Sequence, residues 1–362
     1  MMINRRTFTL GVAAGTALAG LGLSSRPAFA AKKLSSQSAL VIDAMGEIRS
    51  VYSKALIREI LDSGMNSIAI TLCDPKTFEQ DAYQSAIQGI LEYNAYLEAH
   101  PDLFIKGERA ADILTAQKQD KLSVFYLAQN STQFGRDLDN VDVFYDLGMR
   151  SSQVTYNYQN WAGAGCKEKH GSGLTVFGHE LVEKMNDVRM LIDLSHAGMQ
   201  TMADSIKASK EPVVISHTCC KALNDNERNT TDENLKAMAQ KGGVVGICQM
   251  RPFMTDKKKD ALPVYFDHIL HAIKVAGIDH VAIGSDRDHR RVNMTPEYIA
   301  ELRAEEGANF NDAHWPLYFE ELNGPRRMEV IWDGLHKRGL TEDQLEKVMG
   351  QNLYRLYETV IG

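Results

Sequence analysis

The chain has no surplus of basic side chains: 40 Lys and Arg stand against 47 Asp and Glu, for a formal net charge of −7. A general nucleic-acid binder neutralises phosphates with a cationic excess, so that class is set aside. Cysteine is scarce as well. Cys73, Cys166, Cys219, Cys220 and Cys248 are odd in number, widely spaced and without a CxxC pair. That pattern argues against a disulfide framework and against a structural zinc site. Cys219 and Cys220 adjoin at a strand end, where their side chains point to opposite faces and do not bond. Only 9 prolines interrupt the 362 residues, and 44% of the chain is hydrophobic, enough for a large core. No glycine-rich dinucleotide fingerprint follows the first apolar run.

Long apolar runs are also missing. The longest, Gly11 to Leu23, covers about 13 residues, short of the roughly 20 that span a bilayer. It follows Arg5 and Arg6 in "RRTFTL" and precedes the small residues of "AFAA". The expectation is a twin-arginine signal over residues 1–30, cleaved after Ala30. A single domain over 31–362 would then be delivered by the twin-arginine export machinery to the periplasm or outside the cell.

From Ala39 onward, short β-branched runs alternate with polar loops and segments of helical spacing. The strand candidates are 39–45, 67–72, 123–129, 151–157, 190–196, 212–218, 244–250 and 280–286. Most are continuously apolar, as in parallel strands covered on both faces. Helical spacing is clearest at 52–64, 82–100, 178–188, 231–243 and 265–277, and several of these stretches end in glycine. Eight β/α units predict a closed (β/α)8 TIM barrel, with 341–360 read as two capping helices. An open doubly wound sheet is the alternative.

In a barrel, the C-terminal strand ends face the active site. Those ends carry Met45 and Glu47, Cys73 and Asp74, Gln129, Tyr156, His196, His217, Met250 and Asp286. Imidazole and carboxylate arriving from separate strands suit a metal site, because neither is easily buried without a partner.

The ordered segments "GLTVFGHELVEKMNDVRMLIDLSH", "PVVISHT", "ERNTTDENLKAMAQKGGVVGI", "VAIGSDRD" and "GQNLYRL" resemble the membrane (renal) dipeptidase family of the amidohydrolase superfamily, from about Asp43 to Tyr357. The resemblance implies dipeptide hydrolysis at a zinc pair in the barrel mouth. It implies that His196 and His217 are ligands of one metal and that Asp286 binds metal and handles the proton of the attacking water. Arg228 is implied to hold the substrate carboxylate, which suits a bidentate guanidinium.

Four positions depart from that pattern. Met45 and Glu47 stand where the family has His-x-Asp, Gln129 where it has a bridging glutamate, and Tyr156 where it has a histidine. Two adjacent dications need anionic bridging ligands to offset their repulsion, so a single ion is expected. Zinc is the first choice, with iron or manganese allowed by the ligand types. His196, His217 and Asp286 would hold it, and Glu47 or Gln129 would complete the shell. Glu47 is alternatively a general base, and Tyr156 a donor to a developing oxyanion. Asp288 is read as an orienting residue. Arg287, His289, Arg290 and Arg291 form a basic rim for a carboxylate-bearing substrate, and His289 is also a candidate to replace a lost imidazole. The expected partner is a small peptide or amino-acid-derived substrate, and a homodimer is compatible with the chain. Two other readings stand beside hydrolysis: a dipeptidase-like binding protein without activity, and a non-hydrolytic reaction such as isomerisation, lyase chemistry or oxidative peptide maturation on the same barrel.

Overall fold

The computed structural model describes residues 39–306 and 311–362. The signal expected over 1–30 lies outside them. Nine strands occur among the described residues: β1 (Ile42–Gly46), β2 (Ser67–Thr71), β3 (Phe104–Gly107), β4 (Leu122–Ala128), β5 (Met149–Gln153), β6 (Leu191–Asp193), β7 (Val214–Thr218), β8 (Val244–Ile247) and β9 (Val281–Ile283). All their pairings are parallel. Pairing of β2 with β4 (Ser67 opposite Ser123) and of β1 with β9 (Asp43 opposite Ile283) closes an eight-stranded ring. Closure rules out the open-sheet alternative.

Each of the eight sequence-derived strands is present, all but one of them shorter, by one to four residues. The ninth, β3, was not foreseen. It pairs with the first half of β4, Leu122 to Phe125, while β5 takes Tyr126 to Ala128 further along.

Helices follow the strands and cover the outside of the barrel. In α1 (Lys54–Asp62), Ser53 caps the first turn by accepting from Leu56 N, and Ile57, Ile60 and Leu61 turn inward. The ring continues through α2 (Glu79–Glu98), α3 (Ala110–Gln119), α4 (Asp139–Asp146), α5 (Val176–Asp187), α6 (Met199–Ala208), α7 (Asp232–Gln240) and α8 (Leu262–Ala276). After β9 come α9 (Pro296–Glu306), α10 (Arg327–His336), α11 (Glu342–Glu346) and α12 (Asn352–Val360). The two expected capping helices are one helical run joined by a π-turn at Lys347–Gln351. No described helix is long and apolar enough to cross a membrane.

The barrel interior is apolar at its N-terminal end. Ile42, Leu191, Val214, Val244 and Ala282 pack there with Leu353, Leu356, Tyr357 and Val360 of α12, and the Tyr357 ring meets Phe125 at 5.0 Å. This plug leaves only the C-terminal mouth free for chemistry. Above it the interior narrows: a Cβ at Gly246 or Gly284 would fall 2.0 or 1.7 Å from the Ser216 carbonyl oxygen, so both positions must be glycine for β7, β8 and β9 to meet. The five cysteines are free thiols.

Candidate active site at the C-terminal mouth of the barrel

His196 and His217 are delivered by the ends of β6 and β7. Their Nε2 atoms lie 3.0 Å apart, and both side chains are buried. Each Nδ1 is engaged on the outer side. His196 Nδ1 donates to Asn157 Oδ1 at 2.7 Å, and His217 Nδ1 donates to Ser216 Oγ at 2.8 Å, the Ser216 hydroxyl itself donating to Asp193. Both Nε2 lone pairs therefore point at each other. Desolvation, then the positive field of Arg228, holds both imidazoles well below their usual pKa, so neither carries the extra proton that would relieve the clash. Two nitrogens bound at 2.0–2.1 Å to one tetrahedral ion sit roughly 3.3 Å apart. The pair fits one cation.

Asp286 does not complete a cage. Among the described residues, no three His, Cys, Asp or Glu side chains gather tightly enough to hold a metal ion. Of the expected set of His196, His217 and Asp286, the two imidazoles form the close pair, and Asp286 is placed by contacts of its own. Asp286 Oδ2 faces Cys248 Sγ at 3.7 Å, and Asp286 N donates to Met45 O. Burial raises its pKa to about 6, with Arg228 opposing and Glu47 assisting. His196 (φ +65°) and Asp286 (φ +53°) both hold left-handed backbone, a conformation uncommon for residues other than glycine and one that turns each side chain off the end of its strand.

The four altered positions cluster opposite the imidazoles. Gln129 Nε2 donates to Met45 Sδ at 3.4 Å, so two neutral groups occupy the places where the resemblance implies a histidine and a bridging carboxylate. Glu47 lines the same cleft and forms an ion pair with Arg49. These residues do not fit a second dication. Tyr156 stacks on His196 with ring centroids 4.2 Å apart and is half-buried, its pKa raised by burial and by Asp286.

Arg228 is only 5% exposed, so it is not a solvated loop residue. Its Nη2 donates to the His217 carbonyl at 2.8 Å, and its buried Nε has no protein partner among the described residues. The basic rim is partly as expected. Arg290 and Arg291 line a cleft of about 810 Å³ with Arg49, Lys76, Glu47, Gln129 and Tyr156. Arg287 lies over the Tyr318 ring instead, with Nη1 on Met250 Sδ. His289 is fully buried, its Nε2 3.1 Å from Asp43 Oδ2. It is therefore packed into the interior rather than set on the rim, and a parallel main-chain bridge between Glu47 and Asp288 extends the β1–β9 pairing beside it. Asp288 orients its surroundings, bonded to Tyr52, Arg49 and Arg290.

Sequence reasoning missed Asp43, Asn157, Asp193, Ser216 and Cys248. The aspartates carried a signal. "VIDAM" and "LIDLSH" each place an aspartate shortly before a mouth residue.

The match to known proteins agrees with this architecture. A closed parallel barrel with a histidine pair at its C-terminal mouth is an architecture that metal-dependent hydrolases use. Within it, the model of membrane dipeptidase (peptidase family M19) matches residues 50–302, and the chain belongs to that family. An uncharacterized dipeptidase of Schizosaccharomyces pombe is 28% identical over 256 residues, covering 69% of this chain and 56% of the relative. Dipeptidase 3 of Rattus norvegicus is 26% identical over 291 residues, covering 79% and 54%. The chain thus spans about half the length of these relatives. The crystal structure of an amidohydrolase from Pseudomonas aeruginosa superposes with a TM-score of 0.81 at 28% identity, covering 91% of this chain and 99% of that one. A metallopeptidase from Rhodobacter sphaeroides shares the fold, with a TM-score of 0.76 at 19% identity and 89% and 99% coverage.

Proposed function

We propose that the protein is a metal-dependent hydrolase that cleaves an amide bond in a small carboxylate-bearing substrate, using one ion rather than two. The observation that carries this reading is the 3.0 Å approach of the His196 and His217 Nε2 atoms with both Nδ1 positions engaged elsewhere. A zinc ion held by this pair would supply Lewis acidity toward the scissile carbonyl; the same nitrogens also suit iron or manganese.

The chain's own groups do the rest. The buried Nε of Arg228 is a free donor that pairs with the substrate carboxylate. The Tyr156 hydroxyl borders the cleft and donates to the oxygen on which charge develops. Asp286, with its pKa raised to about 6, is ionised at neutral pH and basic enough to take a proton from water. Arg290, Arg291 and Lys76 line the cleft and favour an anionic substrate. Export by the twin-arginine route, signalled by residues 1–30, and assembly as a homodimer belong to the same proposal.

The test is hydrolysis of a panel of small dipeptides and N-acyl amino acids by purified protein with zinc, iron or manganese. Turnover that disappears on chelation and returns with one of these metals supports hydrolysis. Metal-independent turnover contradicts it. A second reading, a binding protein without turnover, is favoured by the Met45–Gln129 contact alone. It is supported if a member of the panel raises the melting temperature while no product forms.

A further inference from the structure

Asp193 lies inside the barrel, fully buried and with no cationic partner among the described residues. Four neutral donors surround it. Oδ1 accepts from Ser195 N and Ser216 N, each at 3.0 Å. Oδ2 accepts from Gln153 Nε2 at 3.1 Å and from the Ser216 hydroxyl. Four donors on two oxygens leave no room for a proton on the carboxylate itself. The hydrogen between Ser216 and Asp193 must therefore be the serine's.

Ser216 has no second hydrogen to give. Its Oγ, 2.8 Å from His217 Nδ1 and 3.1 Å from Ser195 Oγ, must accept from both. Ser195 Oγ in turn accepts from the His217 main-chain N at 2.9 Å. Each donor is thereby assigned, and one tautomer of His217 results: Nδ1 protonated, Nε2 bearing a lone pair toward His196.

The same carboxylate sets the backbone. Ser195 precedes His196 and Ser216 precedes His217, so one oxygen of Asp193 holds the main chain immediately before both imidazoles. Asp43 does the equivalent on the opposite side: its Oδ1 accepts from Met45 N and from Ser285 N, the residue before Asp286. Two interior carboxylates thus register the two halves of the mouth.

We infer that Asp193 and Ser216 are positioning residues that act through His217, fixing its tautomer by an Asp193–Ser216–His217 relay and presenting Nε2 as a ligand. The consequence for metal binding rests on the proposal that this histidine pair holds the ion; the tautomer does not. Outer partners of ligating histidines are worth about 10–100-fold in metal affinity.

The experiment uses Ser216→Ala, which keeps the main-chain bonds to Asp193, with Asp193→Asn as a second variant. Long-range ¹H–¹⁵N spectra of histidine-labelled, metal-free protein should show His217 wholly in the Nδ1–H form in the wild type and as a mixture in Ser216→Ala. Competition with a chromogenic chelator should show zinc affinity falling about 10–100-fold in both variants. An unchanged tautomer in Ser216→Ala overturns the relay, as does zinc affinity within about twofold of a zinc-binding wild type. A wild type that takes up no zinc contradicts the proposed function instead, and the tautomer spectra still decide the relay.

Discussion

The side-chain amide of Gln129 donates to the thioether sulfur of Met45 across 3.4 Å. Two neutral groups therefore satisfy each other in the half of the mouth where the family resemblance implies anionic and imidazole ligands. With Glu47 paired to Arg49, the places held by Met45 and Gln129 bring no anionic group to offset a second dication.

Restoring the family pattern should restore that capacity. The triple variant Met45→His, Glu47→Asp, Gln129→Glu is expected to bind about two zinc ions per chain where the parent binds about one. Elemental analysis after equilibrium dialysis checks it. A stoichiometry that stays at one would show that backbone or rim, rather than ligand identity, limits the site.

Asp286 gives a pH dependence with a definite sign. Its folded-state pKa is raised to about 6, against about 4 in an unfolded chain. Between those values the folded protein keeps a proton that the unfolded chain has released. Stability of the metal-free protein therefore falls as pH rises through the window. Asp286→Asn should raise the melting temperature of the metal-free protein at pH 7.5 and do so far less at pH 4; an equal gain at both pH values would contradict the burial argument.

His289 should behave as a core residue. Its Nε2 bonds the fully buried Asp43, so His289→Ala leaves a buried carboxylate short of a partner. A loss of about 1–3 kcal/mol in denaturant unfolding is expected, with KM little changed. A large rise in KM at unchanged stability would return His289 to the substrate rim.

Arg228 carries the opposite expectation. Arg228→Lys keeps the charge but loses the planar fork and its free Nε. KM for a carboxylate-bearing substrate should rise roughly tenfold or more, while a substrate amidated at that carboxylate should be little affected. Equal effects on both substrates would remove Arg228 from carboxylate recognition.

Much of the barrel was legible because its strands are continuously apolar and bounded by polar loops, as in "MLIDLSH" and "PVVISHT". β3 escaped notice because "FIKG" is four residues long, with a lysine inside and a glycine at its end. His196 and His217 could be found because an imidazole ending an apolar run is conspicuous. Asn157 and Ser216 could not, since asparagine and serine at strand ends ordinarily mean turns. "SDRDHRR" misled in one respect. Its charge density reads as a solvated rim, yet His289 is buried against Asp43, 246 positions earlier in sequence, a pairing that no local pattern announces.

The proposed chemistry depends on one cation held by His196 and His217. The most direct measurement is the metal content of the mature protein purified after native export, beside that of His217→Ala. About one equivalent of metal per chain is expected in the parent and close to none in the variant. Two equivalents in the parent, or one retained in the variant, would contradict it.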